Sequence, residues 1–257
     1  MSHKTASLFS IATGAPTGAG VMSSVVRAAM PPAEAMGAIE ANTVINAETG
    51  NLFFTTKSIS VADLGVSWPI GFVYNSQDKS AWRMKGFDEV GALSGTINTA
   101  GSSVVVTRAD GAAITYQYDT DQQAYVAIDP DGGLVTLTYQ ADKTWLHTTP
   151  LTGVQKQFDA EGRLVSRADK NGNQTNIVYE DGQTQIELPS GQTITYVNTR
   201  ENYTIYVGDV ATSKPVQTAT IDAQGRLVDQ SWFTEQDESS FSIQYTYDDN
   251  TAFLQSA

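Results

Sequence analysis

The sequence predicts a mainly β protein of repeated antiparallel hairpins, behind a short leader that is helical or flexible. Three observations predict it. One pattern occurs three times, as Ile128-Asp129-Pro130-Asp131-Gly132-Gly133-Leu134-Val135, Phe158-Asp159-Ala160-Glu161-Gly162-Arg163-Leu164-Val165 and Ile221-Asp222-Ala223-Gln224-Gly225-Arg226-Leu227-Val228. Turn-forming residues recur about every ten positions between short alternating segments. No amphipathic helical period follows Asn42. An internal repeat constrains architecture strongly, because each unit must bury its apolar face against a neighbour.

The elements follow in order. Residues 1–41 are rich in Ala, Gly, Pro, Ser and Met and form the leader. Met22 to Met30 fits a short helix stopped by Pro31-Pro32, and Pro32 to Ala41 fits a second with proline at its start. The stretch reads equally as a plug that docks on something and as a mobile arm. Residues 42–257 form the β domain. Val104–Thr107 and Ala113–Tyr118 flank Asp110-Gly111, a pair suited to the positive φ of a tight turn. Tyr125–Ile128 and Leu134–Tyr139 flank Pro130 to Gly133. Thr184–Leu188 and Gln192–Val197 flank Pro189-Ser190-Gly191, and Asn171-Gly172 and Asp181-Gly182 mark further turns.

Each repeat position has a physical role. The leading apolar residue and the Leu-Val pair belong to strands that face the core. The Asp carboxylate accepts bonds from turn amides. Gly supplies a φ that other residues resist. Arg163 and Arg226 open the outgoing strand beside carboxylates, in exposed pairs of the kind that stabilise little.

Composition removes several function classes. The 257-residue chain carries a net charge of −13, spread along its length. Nucleic acid demands clustered Lys and Arg, and an anionic membrane surface does likewise. The acidity fits solubility of a sheet-rich protein. The apolar content of 40% supports a core. No segment has the length of a membrane-spanning helix, so no membrane insertion is expected. With no cysteine there is no disulfide, thiolate metal site or thiol nucleophile. With only His3 and His147, a His-rich metal site is excluded. No glycine loop of phosphate-binding pattern follows a strand, and no cofactor is expected.

Candidate chemistry is sparse. A serine triad would have to use His147, which reads better as a half-buried strand residue. Asp119, Asp121, Asp129 and Asp131 are close in sequence and suit glycoside hydrolysis or calcium only by proximity, since their contexts are turns. Trp68, Trp82, Trp145 and Trp232, with eleven tyrosines, suit either sugar stacking or inter-strand packing.

The segment Phe158-Asp159-Ala160-Glu161-Gly162-Arg163-Leu164, then Asp169-Lys170-Asn171-Gly172-Asn173, then the closing Tyr179, resembles a unit of the tyrosine–aspartate (YD) repeat of Rhs proteins. Phe158 and Ile221 stand where that repeat has tyrosine, and Tyr247-Asp248 restores the literal pair. Asp129, Gly132 and Leu134, then Asp222, Gly225, Arg226 and Leu227, occupy the other repeat positions. Thr49-Gly50-Asn51, followed by Tyr74-Asn75-Ser76, is similar to the opening of an Rhs core. The family's closing element, Asp-Pro-x-Gly, is matched only in letters by Asp129 to Gly132, which lie mid-chain.

The resemblance implies a curved β-sheet strip that forms part of a hollow shell around a toxin or effector. It implies a non-catalytic structural role, with partners in a toxin or effector domain, in further Rhs repeats in cis or in trans, and in a secretion-system component. The chain then reads as the first part of such a shell or as a short stand-alone relative. With no signal peptide in residues 1–41, the expected location is the cytoplasm until export by a dedicated bacterial secretion system. Two other functions stay open: a surface module binding carbohydrate or protein, and a carboxylate-dependent glycoside hydrolase.

Overall fold

The computed structural model describes residues 10–12, 42–46, 51–77, 82–128, 134–233, 241–247 and 254–256. These residues contain strands, turns and irregular chain, with no helix among them. Most of the leader, with Thr49, Gly50, Asp129, Gly132 and Asp248, lies outside the described residues. Within the leader, Ser10–Ala12 is strand β1, paired in parallel with β2 (Asn42–Asn46), where the sequence suggested helix or flexible chain. The backbone of β2 supplies the hydrogen-bonding edge for it.

The chain divides into two compact units. The first comprises residues 1–61, 68–147 and 160–163. It holds a five-stranded sheet in the order β1, β2, β3 (Leu52–Thr55), β6 (Phe72–Asn75), β7 (Trp82–Met84). The intervening β4 (Ile59–Asp63) and β5 (Val66–Ile70) form a separate two-stranded ribbon whose tip, residues 62–67, is assigned to the second unit. After β7 the first unit continues through β8 (Glu89–Val90), β9 (Ser103–Thr107), β10 (Ala113–Asp119), β11 (Ala124–Ala127) and β12 (Thr136–Tyr139) into β13 (Trp145–Thr149). Its core gathers Trp68, Ile70, Tyr74, Tyr116, Tyr125 and Leu137, all fully buried.

The second unit comprises residues 62–67, 148–159 and 164–257. Its strands are β14 (Val154–Phe158), β15 (Leu164–Ala168), β16 (Gln174–Glu180), β17 (Gln183–Glu187), β18 (Thr193–Asn198), β19 (Asn202–Val207), β20 (Pro215–Ile221), β21 (Leu227–Trp232) and β22 (Phe241–Gln244), with the ribbon of β23 (Thr246–Tyr247) and β24 (Leu254–Ser256). Within the first unit strands β8 to β12, and within the second strands β14 to β22, stand in simple chain order, and their described pairings are antiparallel. Short turns permit this, because antiparallel neighbours need only a few connecting residues.

The predicted hairpins around Gly111 and Gly191 form at their predicted turns, while the turn from Pro130 to Gly133 lies outside the described residues. Strands β9 and β10 pair from Thr107↔Ala113 to Ser103↔Gln117 around Gly111, whose φ is +80°. Strands β17 and β18 pair around Gly191, with φ +88°.

In two copies of three the repeat places its leucine in the core, with Phe158 buried and Ile221, Val165 and Val228 only half-buried, against the expectation that all of them face the core. Phe158 lies opposite Leu164, and Ile221 opposite Leu227. Phe158, Leu164 and Leu227 are fully buried. In both hairpins the register shifts by one residue at this point, which leaves Val165 and Val228 as the extra residue of a bulge. The first copy behaves differently. Ile128 and Leu134 are 58% and 73% exposed, against the expectation that both face the core. There β11 and β12 pair as Tyr125↔Leu137 and Val126↔Thr136 with no shift, and Leu137 is the buried residue. Without a bulge, Leu134 shares the parity of Thr136 rather than that of Leu137, so it leaves the core face.

Candidate functional site

The second repeat copy builds the most distinctive local geometry. Its turn follows β14 and needs Gly162 at φ +84°. The same glycine meets β8 closely: Val90 donates its amide to the Gly162 carbonyl at 2.8 Å, and Glu89 bridges to Arg163. A Cβ on Gly162 would lie 1.9 Å from the Val90 carbonyl oxygen. Gly162 therefore serves both turn conformation and close backbone approach.

Beside this contact, within the first unit, lies a cleft of about 570 Å³. Leu93, Ile97, Tyr139 and Trp145 supply its apolar wall, and Glu89 and Glu161 supply carboxylates. An aromatic run supports the wall. The rings of Tyr118 and Tyr125, Tyr125 and Trp145, and Trp145 and Tyr139 meet edge to face at 5.2, 5.3 and 4.9 Å. The Tyr125 hydroxyl accepts the Asn98 amide at 2.9 Å and lies 3.1 Å from the Ser102 hydroxyl. That anchors the loop carrying Ile97. The cleft was not legible in the sequence, since Leu93 and Ile97 belong to no period.

The core-opening residues do come together. Ser76 donates its hydroxyl to the Asn51 side chain at 3.0 Å and accepts the Leu52 amide at 2.9 Å. Asn75 donates to the Asp110 carbonyl at 3.2 Å, and Tyr74 is buried opposite Phe54. Their partners make them a structural clasp between strands β3 and β6.

The repeat residues form turn clamps. Asp222 accepts the amides of Gln224 and Arg226 at 3.0 and 2.8 Å, and Arg226 Nε at 2.7 Å. Burial pulls its carboxyl upward, but the Arg226 amide, side-chain bond and charge outweigh it and leave the pKa lowered. Arg163 lies 3.8 Å from Glu161, both exposed. Gly225 adopts φ +78° with open space around it. Two tyrosines make a similar contact from different repeat positions: the closing Tyr179 donates its hydroxyl to the Leu164 carbonyl at 2.9 Å, and Tyr247, the leading tyrosine of the Tyr-Asp pair, donates to the Leu227 carbonyl. The Arg226 guanidinium also lies over the Tyr247 ring, 4.5 Å from its centre. Asp159 is half-buried at the start of its turn.

The other candidates have structural settings. His147 Nε2 lies 3.2 Å from the Tyr116 hydroxyl, whose pKa burial pushes up to about 12. Asp119 accepts the amides of Gln122 and Asp121, which lower its pKa. Asp131, like Asp129, falls outside the described residues. No group of three metal-ligating side chains occurs among the described residues. Trp68, Trp82, Trp145 and Trp232 are at most 8% exposed, so none offers a solvent-facing stacking platform. No helix among the described residues is long and apolar enough to cross a membrane.

No protein-family model matches the chain, and no curated protein matches it.

Proposed function

We propose that the chain is a non-catalytic structural segment of a YD-repeat wall of the Rhs type, which encloses or carries a toxin or effector. The observation that carries this reading is the paired tyrosine clamp. Tyr179 and Tyr247 hold the carbonyls of Leu164 and Leu227, the corresponding leucines of two repeat copies. A leucine carbonyl held by a later tyrosine in two repeat copies supports a repeated structural unit, the kind from which extended walls are built. The aromatic residues support the same view, since the four tryptophans pack into cores. The mechanism is steric: the sheet separates its cargo from proteases. Further repeats, in cis or in trans, and a secretion-system component complete the assembly in this reading.

The test is protection. The polypeptide encoded beside this chain is produced alone and together with it, and both samples are digested with a nonspecific protease. Survival of the companion only in the joint sample supports encapsulation. Equal digestion, with the chain a separate monomer by light scattering, refutes it.

The cleft beside Gly162 favours a second reading, a module that binds protein through this surface. Its apolar wall, its carboxylates and its size suit a polypeptide segment.

A further inference from the structure

We propose that this cleft takes a lysine or arginine side chain presented by an extended peptide segment. The inference rests on the binding reading of the cleft and names its ligand class. Three observations carry it.

Chemistry comes first. The lining combines Leu93, Ile97, Tyr139 and Trp145 with the carboxylates of Glu89 and Glu161, and it contains no Lys or Arg. A long basic side chain has the complementary anatomy: a methylene stem for the apolar wall and a cationic head for the carboxylates and ring edges. Charge comes second. The Glu89 and Glu161 side chains are 55% and 68% exposed. Their existing partners are Arg83, 19% exposed and hydrogen-bonded to Glu89 at 3.4 Å, and Arg163, 3.8 Å from Glu161 in an exposed pair of the kind that holds a carboxylate weakly. The chain's net charge of −13 also draws in a cationic partner. Backbone comes third. Ala92 and Leu93 lie outside any strand, and their amides have no hydrogen-bond partner among the described residues. The flanking amides of Gly91 and Ser94 are bonded, to the carbonyls of Val105 and Ser103. An extended segment can therefore add main-chain bonds beside the pocket, as in strand addition. A sugar is less well served, because Trp145 is only 5% exposed and presents no open face.

The test uses capped pentapeptides Ac-Gly-Val-X-Val-Gly-amide, with X as lysine, arginine, norleucine or glutamate, and chitohexaose as the sugar probe. Binding is followed by amide shifts of the whole chain at Glu89 to Leu93 and at Gly162. The lysine and arginine peptides should shift these amides and bind roughly tenfold more tightly than the norleucine peptide, through two exposed charge pairs. The double variant Glu89→Gln, Glu161→Gln should remove that advantage while leaving norleucine binding unchanged. Equal binding of the norleucine and lysine peptides overturns the cationic assignment but keeps the binding reading. Shifts with chitohexaose alone replace the peptide by a sugar. No shift with any probe overturns both readings.

Discussion

Gly162→Ala tests the contact on which the second repeat copy and the cleft depend. The added Cβ would lie 1.9 Å from the Val90 carbonyl oxygen, while real Cβ contacts essentially never fall under 3.0 Å, so the strand must retreat by about 1.1 Å (3.0 − 1.9). That movement breaks the 2.8 Å bond from the Val90 amide to the Gly162 carbonyl. The bond contributes roughly 1 kcal/mol. Disturbed packing around Val90, which is 3% exposed, adds about the same again. The φ of +84° costs roughly 1 kcal/mol more for alanine. Two controls isolate the backbone term. Gly101→Ala, in the same unit, and Gly225→Ala, at the same repeat position, have φ of +83° and +78° with nothing within 4 Å of the added atom. Each should lose only the roughly 1 kcal/mol of conformational strain. Gly162→Ala should therefore lose about 1–3 kcal/mol beyond either control. At a urea slope of about 2 kcal/mol/M, its midpoint falls roughly 0.5–1.5 M below theirs. Fluorescence-monitored urea unfolding measures this, and hydrogen exchange at the Val90 amide locates it. Equal midpoints for the three variants, with unchanged Val90 protection, would refute the reasoning.

Three further outcomes follow from the same structure. Tyr179→Phe and Tyr247→Phe should each destabilise by roughly 0.5–1.5 kcal/mol in denaturant titration, since each removes one hydroxyl-to-carbonyl bond; two neutral substitutions would deny the clamp any energetic role. Lys85 donates its ammonium to the Thr56 carbonyl at 2.9 Å and to the Ser58 hydroxyl, and burial lowers its pKa from 10.5 to about 8. Between those values the unfolded chain binds more protons than the folded one, so the Lys85 contribution rises with pH through that window and is lost as pH falls through about 8. Allowing for partial solvent screening, the stability of the parent relative to Lys85→Met should improve by about 1–3 kcal/mol from pH 7.5 to 10.5, and a constant difference would contradict the burial argument. Gln217 is fully buried, and neither of its amide atoms has a partner among the described residues. Gln217→Met should raise stability by roughly 1–2 kcal/mol in thermal or urea unfolding, whereas a loss of that size would mean the amide is bonded in solution.

Local chemistry made much of this protein readable before folding. Asp222 caps amides two and four residues ahead, Gly225 and Gly172 take positive φ, and the hairpins close at Gly111 and Gly191. Each depends on neighbours within one turn, so residue order alone determines it. Other features needed chain segments far apart in sequence to meet. The bulges at Val165 and Val228 turn Leu164 and Leu227 inward, while the unbulged first copy leaves Leu134 exposed, although the three sequences look alike. His147 acquires Tyr116 as a neighbour, and Gly162 acquires Val90. The cleft exists only because a loop without periodicity, two strand ends and a repeat turn converge. Periodicity specifies which residues can share a face, but strand register and backbone approach decide which of them do, and those are settled only when the sheet assembles.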